Sequence, residues 1–169
     1  GARRRWGAGG GGWVAAGVGG ASRSIVPRSA DANVVSASWS PDGREIAFVR
    51  KDSLLVADAE GRQPRLVATS TSLHSCAWSP GGRWMACVQG NGEAAVPGTA
   101  FGNIAPSAVV LIPAAGGAPI PLVEKRASSQ SPVWSPDGER LFFVSNRNGP
   151  RDVYVLSVSS SGRASGEAV

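Results

Sequence analysis

Short apolar runs alternate with polar punctuation along most of the chain. Glu45–Arg50, Ser53–Asp58 and Pro64–Thr69 are each about six residues long and rich in Val, Ile, Leu and Phe. Lys51-Asp52 and Glu60-Gly61-Arg62-Gln63 separate them. β-branched and aromatic runs of this length, bounded by turn formers, predict strands rather than helices. A further strand at Val35–Trp39 makes four per unit. A second unit reads His74–Trp78, Arg83–Val88, Ala108–Ile112 and Ile120–Glu124. A third reads Gln130–Trp134, Arg140–Ser145 and Asp152–Val158, with its fourth strand missing or degenerate in "SSSGRASGEAV". Ser24–Val26 is expected to be the outer strand of a preceding unit.

The units are marked by one repeated phrase. "WSPDGREIAFV" starts at Trp39, "WSPGGRWMACV" at Trp78 and "WSPDGERLFFV" at Trp134, at spacings of 39 and 56 residues. The longer interval carries the Gly-, Pro- and Asn-rich insertion Gln89–Ser107, expected to be a long loop. Four strands in about 40 residues is the size of a propeller blade. Turn chemistry explains the phrase. Pro41, Pro80 and Pro136 preset φ for the second turn position, and Asp42 and Asp137 suit the third. Gly43, Gly82 and Gly138 take the left-handed position after it. Trp39, Trp78 and Trp134 are expected to fill the wedges between neighbouring sheets. The second copy has Gly81 in place of the Asp, which a structural role tolerates better than a catalytic one.

These phrases, with "LLVADAEG", "PRLV" and "SNRNGPRDVYVLSV", resemble the TolB-like β-propeller repeat over about Val34–Val158. The resemblance implies an all-β partial propeller of about three four-stranded antiparallel blades, the third incomplete. Blades are expected at about 34–69, 73–125 and 129–160, in a propeller region 31–169 that follows a basic, Gly-rich segment 1–30. Propellers close with more blades, so the remaining ones are expected from a longer chain. An Arg-rich end, an apolar stretch and then such repeats is also similar to bacterial membrane-tethered Ser/Thr kinases and winged-helix regulators. No kinase motif accompanies it in these residues.

Composition changes the picture mainly at the N-terminus. The net charge is +5, but residues 1–30 hold five Arg and no acid, and the remainder balances at 12 basic and 12 acidic residues. A body without cationic excess argues against nucleic-acid binding. Trp6–Ser22 is uncharged and holds eight Gly in 17 residues. Three readings stay open for it: a transmembrane helix with Arg3–Arg5 on the cytoplasmic side, the remains of a signal peptide, or a Gly-rich linker. Cys76 and Cys87 lack metal-binding spacing. With the turn at Ser79–Gly82 and a one-residue bulge, Trp78 faces Trp84, Cys76 faces Ala86, and Cys87 points to the opposite face. Two buried free thiols are therefore expected.

The chain carries little catalytic text. The one histidine, His74, starts a predicted strand, and a hydrogen-bonded structural role is expected for it. H-E-x-x-H, G-x-S-x-G and G-x-x-x-x-G-K-[ST] are absent. Asp42, Asp58, Asp137 and Asp152 are expected in turn bonding or surface pairs with Arg44, Arg147 or Arg151. No catalytic, metal or cofactor residues are expected. The candidate partner-binding positions are Phe101, Asn103 and Ile104 in the insertion, because loops on rigid scaffolds carry recognition. The expected function is a non-enzymatic interaction or sensing propeller, extracytoplasmic and tethered through the N-terminal segment, with a protein or peptide partner. The alternatives are the gating propeller of a prolyl-oligopeptidase-like serine peptidase and a soluble TolB-type periplasmic transport scaffold.

Overall fold

The three repeated phrases fold into three matching turns. The computed structural model describes residues 12–14, 23–26, 34–92 and 105–165. Gly43, Gly82 and Gly138 have φ of +70°, +73° and +75°, where a side chain would be strained. Each donates its N–H to the carbonyl of the phrase serine, Ser40, Ser79 or Ser135, at 2.9 Å. The serine N–H in turn donates to the carbonyl five residues on, at Glu45, Trp84 or Arg140. Its hydroxyl accepts the amide N–H of that same residue. The serine thus closes the hairpin twice, once by backbone and once by side chain.

That geometry corrects the expected register. Four residues separate each paired serine from its partner, one more than the bulged turn read from the sequence. Trp78 therefore lies opposite Met85, not Trp84, and Ala77, not Cys76, lies opposite Ala86. A one-residue slip exchanges the two faces of a strand. A second irregularity follows between His74 and Ala77, with Ser75 at φ +48°. The slip brings Cys76 and Cys87 to the same face, with Cα atoms 4.1 Å apart, joined as a disulfide. The two cysteines are not free thiols.

The strands are β1 Gly12–Val14, β2 Arg23–Val26, β3 Val34–Trp39, β4 Glu45–Arg50, β5 Ser53–Asp58, β6 Arg65–Thr69 and β7 Leu73–Trp78. They continue as β8 Trp84–Gln89, β9 Ala108–Pro113, β10 Ile120–Val123, β11 Ser129–Trp134, β12 Arg140–Ser145, β13 Asp152–Val158 and β14 Ala164–Ser165. β3–β6, β7–β10 and β11–β14 form three four-stranded antiparallel sheets, each meandering in chain order. The third sheet's fourth strand is only the two residues of β14. The architecture is an all-β partial propeller. β3 lies against β7, and β7 against β11, so the first strand of each sheet is innermost. Ser36 and Ser38 of β3 accept the amide N–H groups of Cys76 and Trp78 of β7, at 2.9 and 3.1 Å.

β1 pairs with β2 in a two-stranded sheet. At Gly12–Val14 the chain is thus extended, unlike the helical span considered for Trp6–Ser22. Among the described residues no helix is long and apolar enough to cross a membrane.

Alternation of side chains gives each sheet two apolar faces. One face of the first sheet, Ala47, Val49, Leu54 and Val56, packs with Met85, Cys87, Val110 and Ile112 of the second. Trp78 and the disulfide lie in the same cluster. The second sheet's far face, including Ala86, Val109 and Leu111, packs against Leu141, Phe143, Tyr154 and Leu156 of the third. Ile46, Phe48 and Ala57 pack against Ile25 and Val26 of β2, with Trp39 beside them. Among the described residues, none covers the third sheet's far face. Phe142, Val144 and Val155 are half-exposed and Val153 is 61% exposed. These positions match Ala47, Val49, Val56 and Leu54, all within 1% of fully buried.

Candidate functional site

The turns between strands divide the propeller into two rims. The phrase turns and the links from third to fourth strands lie on one rim. The described links from second to third strands, and those between sheets, lie on the other. Between the second and third sheets, the phrase rim opens into a cleft of about 650 Å³. One wall comes from the second phrase: Ser79, Gly81, Arg83 and Trp84. The floor and far wall come from Trp134, Asp137–Arg140, Ser157–Ser160 and Ser165. Its volume is typical of a ligand pocket, although its lining is more polar than most.

Two indoles frame the cleft, and each spans both sheets. Trp134 of the third sheet donates its Nε1–H to the carbonyl of Ala77 on the second, at 3.1 Å. Trp84 of the second reaches the carbonyl of Ser160 on the third, at 3.4 Å. With their N–H groups engaged, both rings present ring surface. Gly162 makes room for Trp84: a Cβ there would lie 2.6 Å from Cζ2, and its φ is +78°. The phrase turns meet at the rim, where a Cβ on Gly138 would lie 3.6 Å from Pro80 Cδ.

The charged groups are set by local bonding. Asp137 accepts the Ser135 hydroxyl and the Glu139 amide N–H. These bonds, the serine's first, and the nearby Arg140 hold its carboxyl below the usual carboxylate range. Asp42 is held low in the same way, first by Ser40 and then by the Arg44 amide. Asp58 is lowered chiefly by the Arg62 amide. Asp42 also faces Arg44 at 4.0 Å, and Asp58 pairs with Arg62 at 3.1 Å. Asp152 instead accepts the Val153 amide N–H. Arg147 stacks on Phe143 and Tyr154, 5.0 and 4.9 Å from the ring centroids.

Of the residues singled out in the sequence, the cleft gathers Trp134, Asp137 and Gly138, with Pro80 and Gly82 on the adjoining turn. Trp39, Pro41, Asp42 and Gly43 belong to the first phrase, away from it. Trp78 is buried, its Nε1–H donated to the Gly82 carbonyl at 3.0 Å. Pro136 is exposed on the third phrase turn. Phe101, Asn103 and Ile104 lie outside the described residues. Sequence reading missed Arg83, Trp84, Glu139, Arg140 and the serines of Ser157–Ser160. One signal was available: phrases on adjacent sheets place the residues after each turn side by side.

His74 is buried, with both ring nitrogens hydrogen-bonded. Its Nε2–H donates to the Gly90 carbonyl at 3.0 Å, which leaves Nδ1 to accept the Ser75 hydroxyl at 2.9 Å. Burial pushes its pKa down, partly offset by the Gly90 carbonyl. Among the described residues, no cluster of three or more His, Cys, Asp or Glu is placed to hold a metal ion.

The family of the TolB beta propeller domain matches residues 14–166. The chain belongs to the TolB β-propeller family. Its fold is similar to that of TolB from Acinetobacter baumannii, at 16% identity and a TM-score of 0.68, over 90% of this chain and 36% of that one. A puromycin-hydrolyzing peptidase from Mycobacterium tuberculosis matches at 19% identity and a TM-score of 0.67, over 98% of this chain and 27% of that one. A chain of the nidogen/laminin complex matches at 13% identity and a TM-score of 0.64, over 89% and 64%. At these identities the likenesses concern the fold. This TolB-type propeller spans about a third of the length of the Acinetobacter TolB.

Proposed function

We propose that this TolB-type scaffold is a non-catalytic binding propeller that works outside the cytoplasm. The cleft between the second and third sheets is its recognition site, and a peptide segment of a protein partner its ligand. The observation that carries this reading is the cleft itself. Its two indoles have spent their N–H groups on the scaffold, while hydroxyls and both signs of charge line the remaining walls. Such a surface suits an extended peptide, whose backbone needs donors and acceptors and whose side chains need apolar platforms. A disulfide within the core supports an oxidising compartment. The far face of the third sheet, which none of the described residues covers, supports further blades packing there in a longer protein, as the second sheet covers the matching face of the first.

The test is selection of peptides from a random display library on the folded chain, followed by titration with intrinsic Trp fluorescence as the readout. Binding is expected to saturate and to weaken about tenfold on charge reversal of Arg83 or Arg140. Reversal of Arg62, on the first sheet, is expected to change nothing. Equal losses in all three variants, or no saturable binder, would refute the cleft as the site.

A further inference from the structure

The two rims differ in charge. Among the described residues, the phrase rim carries six basic and six acidic side chains: Arg44, Arg62, Arg65, Arg83, Arg140 and Arg163 against Asp42, Glu45, Asp58, Glu60, Asp137 and Glu139. The opposite rim carries six against three. Arg50, Lys51, Lys125, Arg126, Arg147 and Arg151 face only Asp52, Glu124 and Asp152 there. Of the surplus carried by the links of the three four-stranded sheets, all lies on this side.

Four of these cations are gathered by the fold. Lys125 and Arg126 are on the link from β10 to β11, and Arg147 and Arg151 on the turn from β12 to β13. Asn146 ties the two segments together: its Oδ1 accepts the Ser128 amide N–H at 2.8 Å, and its own N–H donates to the Ser128 carbonyl at 3.2 Å. Glu124 pairs with Arg126, and Asp152 accepts the Val153 amide N–H.

Packing holds one of the cations in place. The Arg147 guanidinium lies over the stacked rings of Phe143 and Tyr154. Stacking fixes the plane of a guanidinium, and with the Arg147 Nε–H buried and without a partner, its Nη groups are what is left for a planar acceptor. Lys125 lies along Gly90, where a Cβ would come within 2.7 Å of its Cε. The Arg147 guanidinium is thus positioned before any partner arrives.

We infer that the rim formed by Lys125, Arg126, Arg147 and Arg151 is a second docking surface, for an acidic, Asp/Glu-rich segment of a protein partner. Carboxylates match the guanidinium edge in shape and charge. The local surplus is two charges, too few for the multi-phosphate contacts that drive nucleic-acid affinity. The surface is separate from the cleft, which opens on the other rim.

The test is fluorescence anisotropy of the whole chain with a labelled Asp/Glu-rich peptide, at low salt and again at about 0.5 M NaCl, where exposed pairs are screened. Saturable binding that salt weakens is expected. Lys125→Glu with Arg126→Glu should weaken it about tenfold or more at an unchanged melting temperature, because both side chains are exposed. Arg147→Lys, which keeps the charge and loses the planar edge, should weaken it less. Arg44→Glu, on the other rim and outside the cleft, should leave it intact, whether or not the cleft binds its own peptide. Absence of binding would overturn the inference. So would equal losses from the other rim, or tighter binding of duplex DNA or anionic vesicles than of the peptide.

Discussion

Reducing the Cys76–Cys87 bond should destabilise the propeller measurably. The bond joins residues 11 apart across the β7–β8 hairpin. Cross-linking a ring of that size restricts the unfolded chain by about 3 kcal/mol in the loop-entropy treatment. Reduction also separates two sulfurs in a cluster where Cys87 is fully buried and Cys76 only 8% exposed. Forcing volume into such a core adds about 1 kcal/mol or more. For a domain of this size, 1 kcal/mol is worth about 2–4 °C. The melting temperature should therefore fall by about 6–12 °C from the cross-link alone. The assay pairs thermal unfolding, with and without reductant, with alkylation and mass spectrometry of the denatured chain. Without reductant neither cysteine should be alkylated, and with reductant both should be. Alkylation of both in the untreated chain would refute the register derived for the hairpin. An unchanged melting temperature after complete reduction would refute the energetic reasoning.

Three further outcomes are expected. His74 is kept neutral by burial, so its folded pKa is depressed and the unfolded chain takes up the proton first. Stability should thus fall as pH drops below about 6.5, and His74→Gln should flatten the urea midpoint between about pH 7 and pH 5. Asp42, Asp58 and Asp137 are lowered too, so their contribution is present above the ordinary carboxylate range and is lost as pH falls through their folded values. A urea midpoint that does not change from neutral to strongly acid pH would contradict both assignments. Gly162→Ala places a methyl against the Trp84 ring at positive φ. It should cost roughly 1–3 kcal/mol and shift Trp emission, and an unperturbed melt would show that Trp84 is not seated under that turn. Leu54→Lys should prevent folding, whereas Val153→Lys, at the matching but exposed position of the third sheet, should leave the melt nearly unchanged and reduce self-association in sedimentation. Equal damage from the two would mean that the third sheet's face is covered.

The strands were legible because their pattern is local. Glu45–Arg50, Ser53–Asp58, Arg140–Ser145 and Asp152–Val158 have the same bounds in sequence and structure, since each run is framed by turn segments. The register was not legible, because it depends on a hydroxyl. Ser79 accepts the amide of Trp84 on its hydroxyl and donates its own N–H to the Trp84 carbonyl, and this pair of bonds closes a four-residue loop in place of a bulged turn. A difference of one residue moved Cys76 and Cys87 from opposite faces to one face. The cleft was illegible for another reason. Trp84 and Ser160 are 76 residues apart, and only the packing of adjacent sheets brings them together. Ser159, Ser160 and Ser165 fall in the degenerate stretch "SSSGRASGEAV", yet with Ser157 they form a wall of the cleft.

Recognition at the cleft is tested most directly by hydrogen–deuterium exchange of the chain with and without a peptide selected on it. Protection is expected in Ser79–Trp84, Trp134–Arg140 and Ser157–Ser165, with the first sheet's phrase turn unchanged. Protection confined to Ser40–Arg44, or spread evenly over all three phrase turns, would contradict a binding site between the second and third sheets.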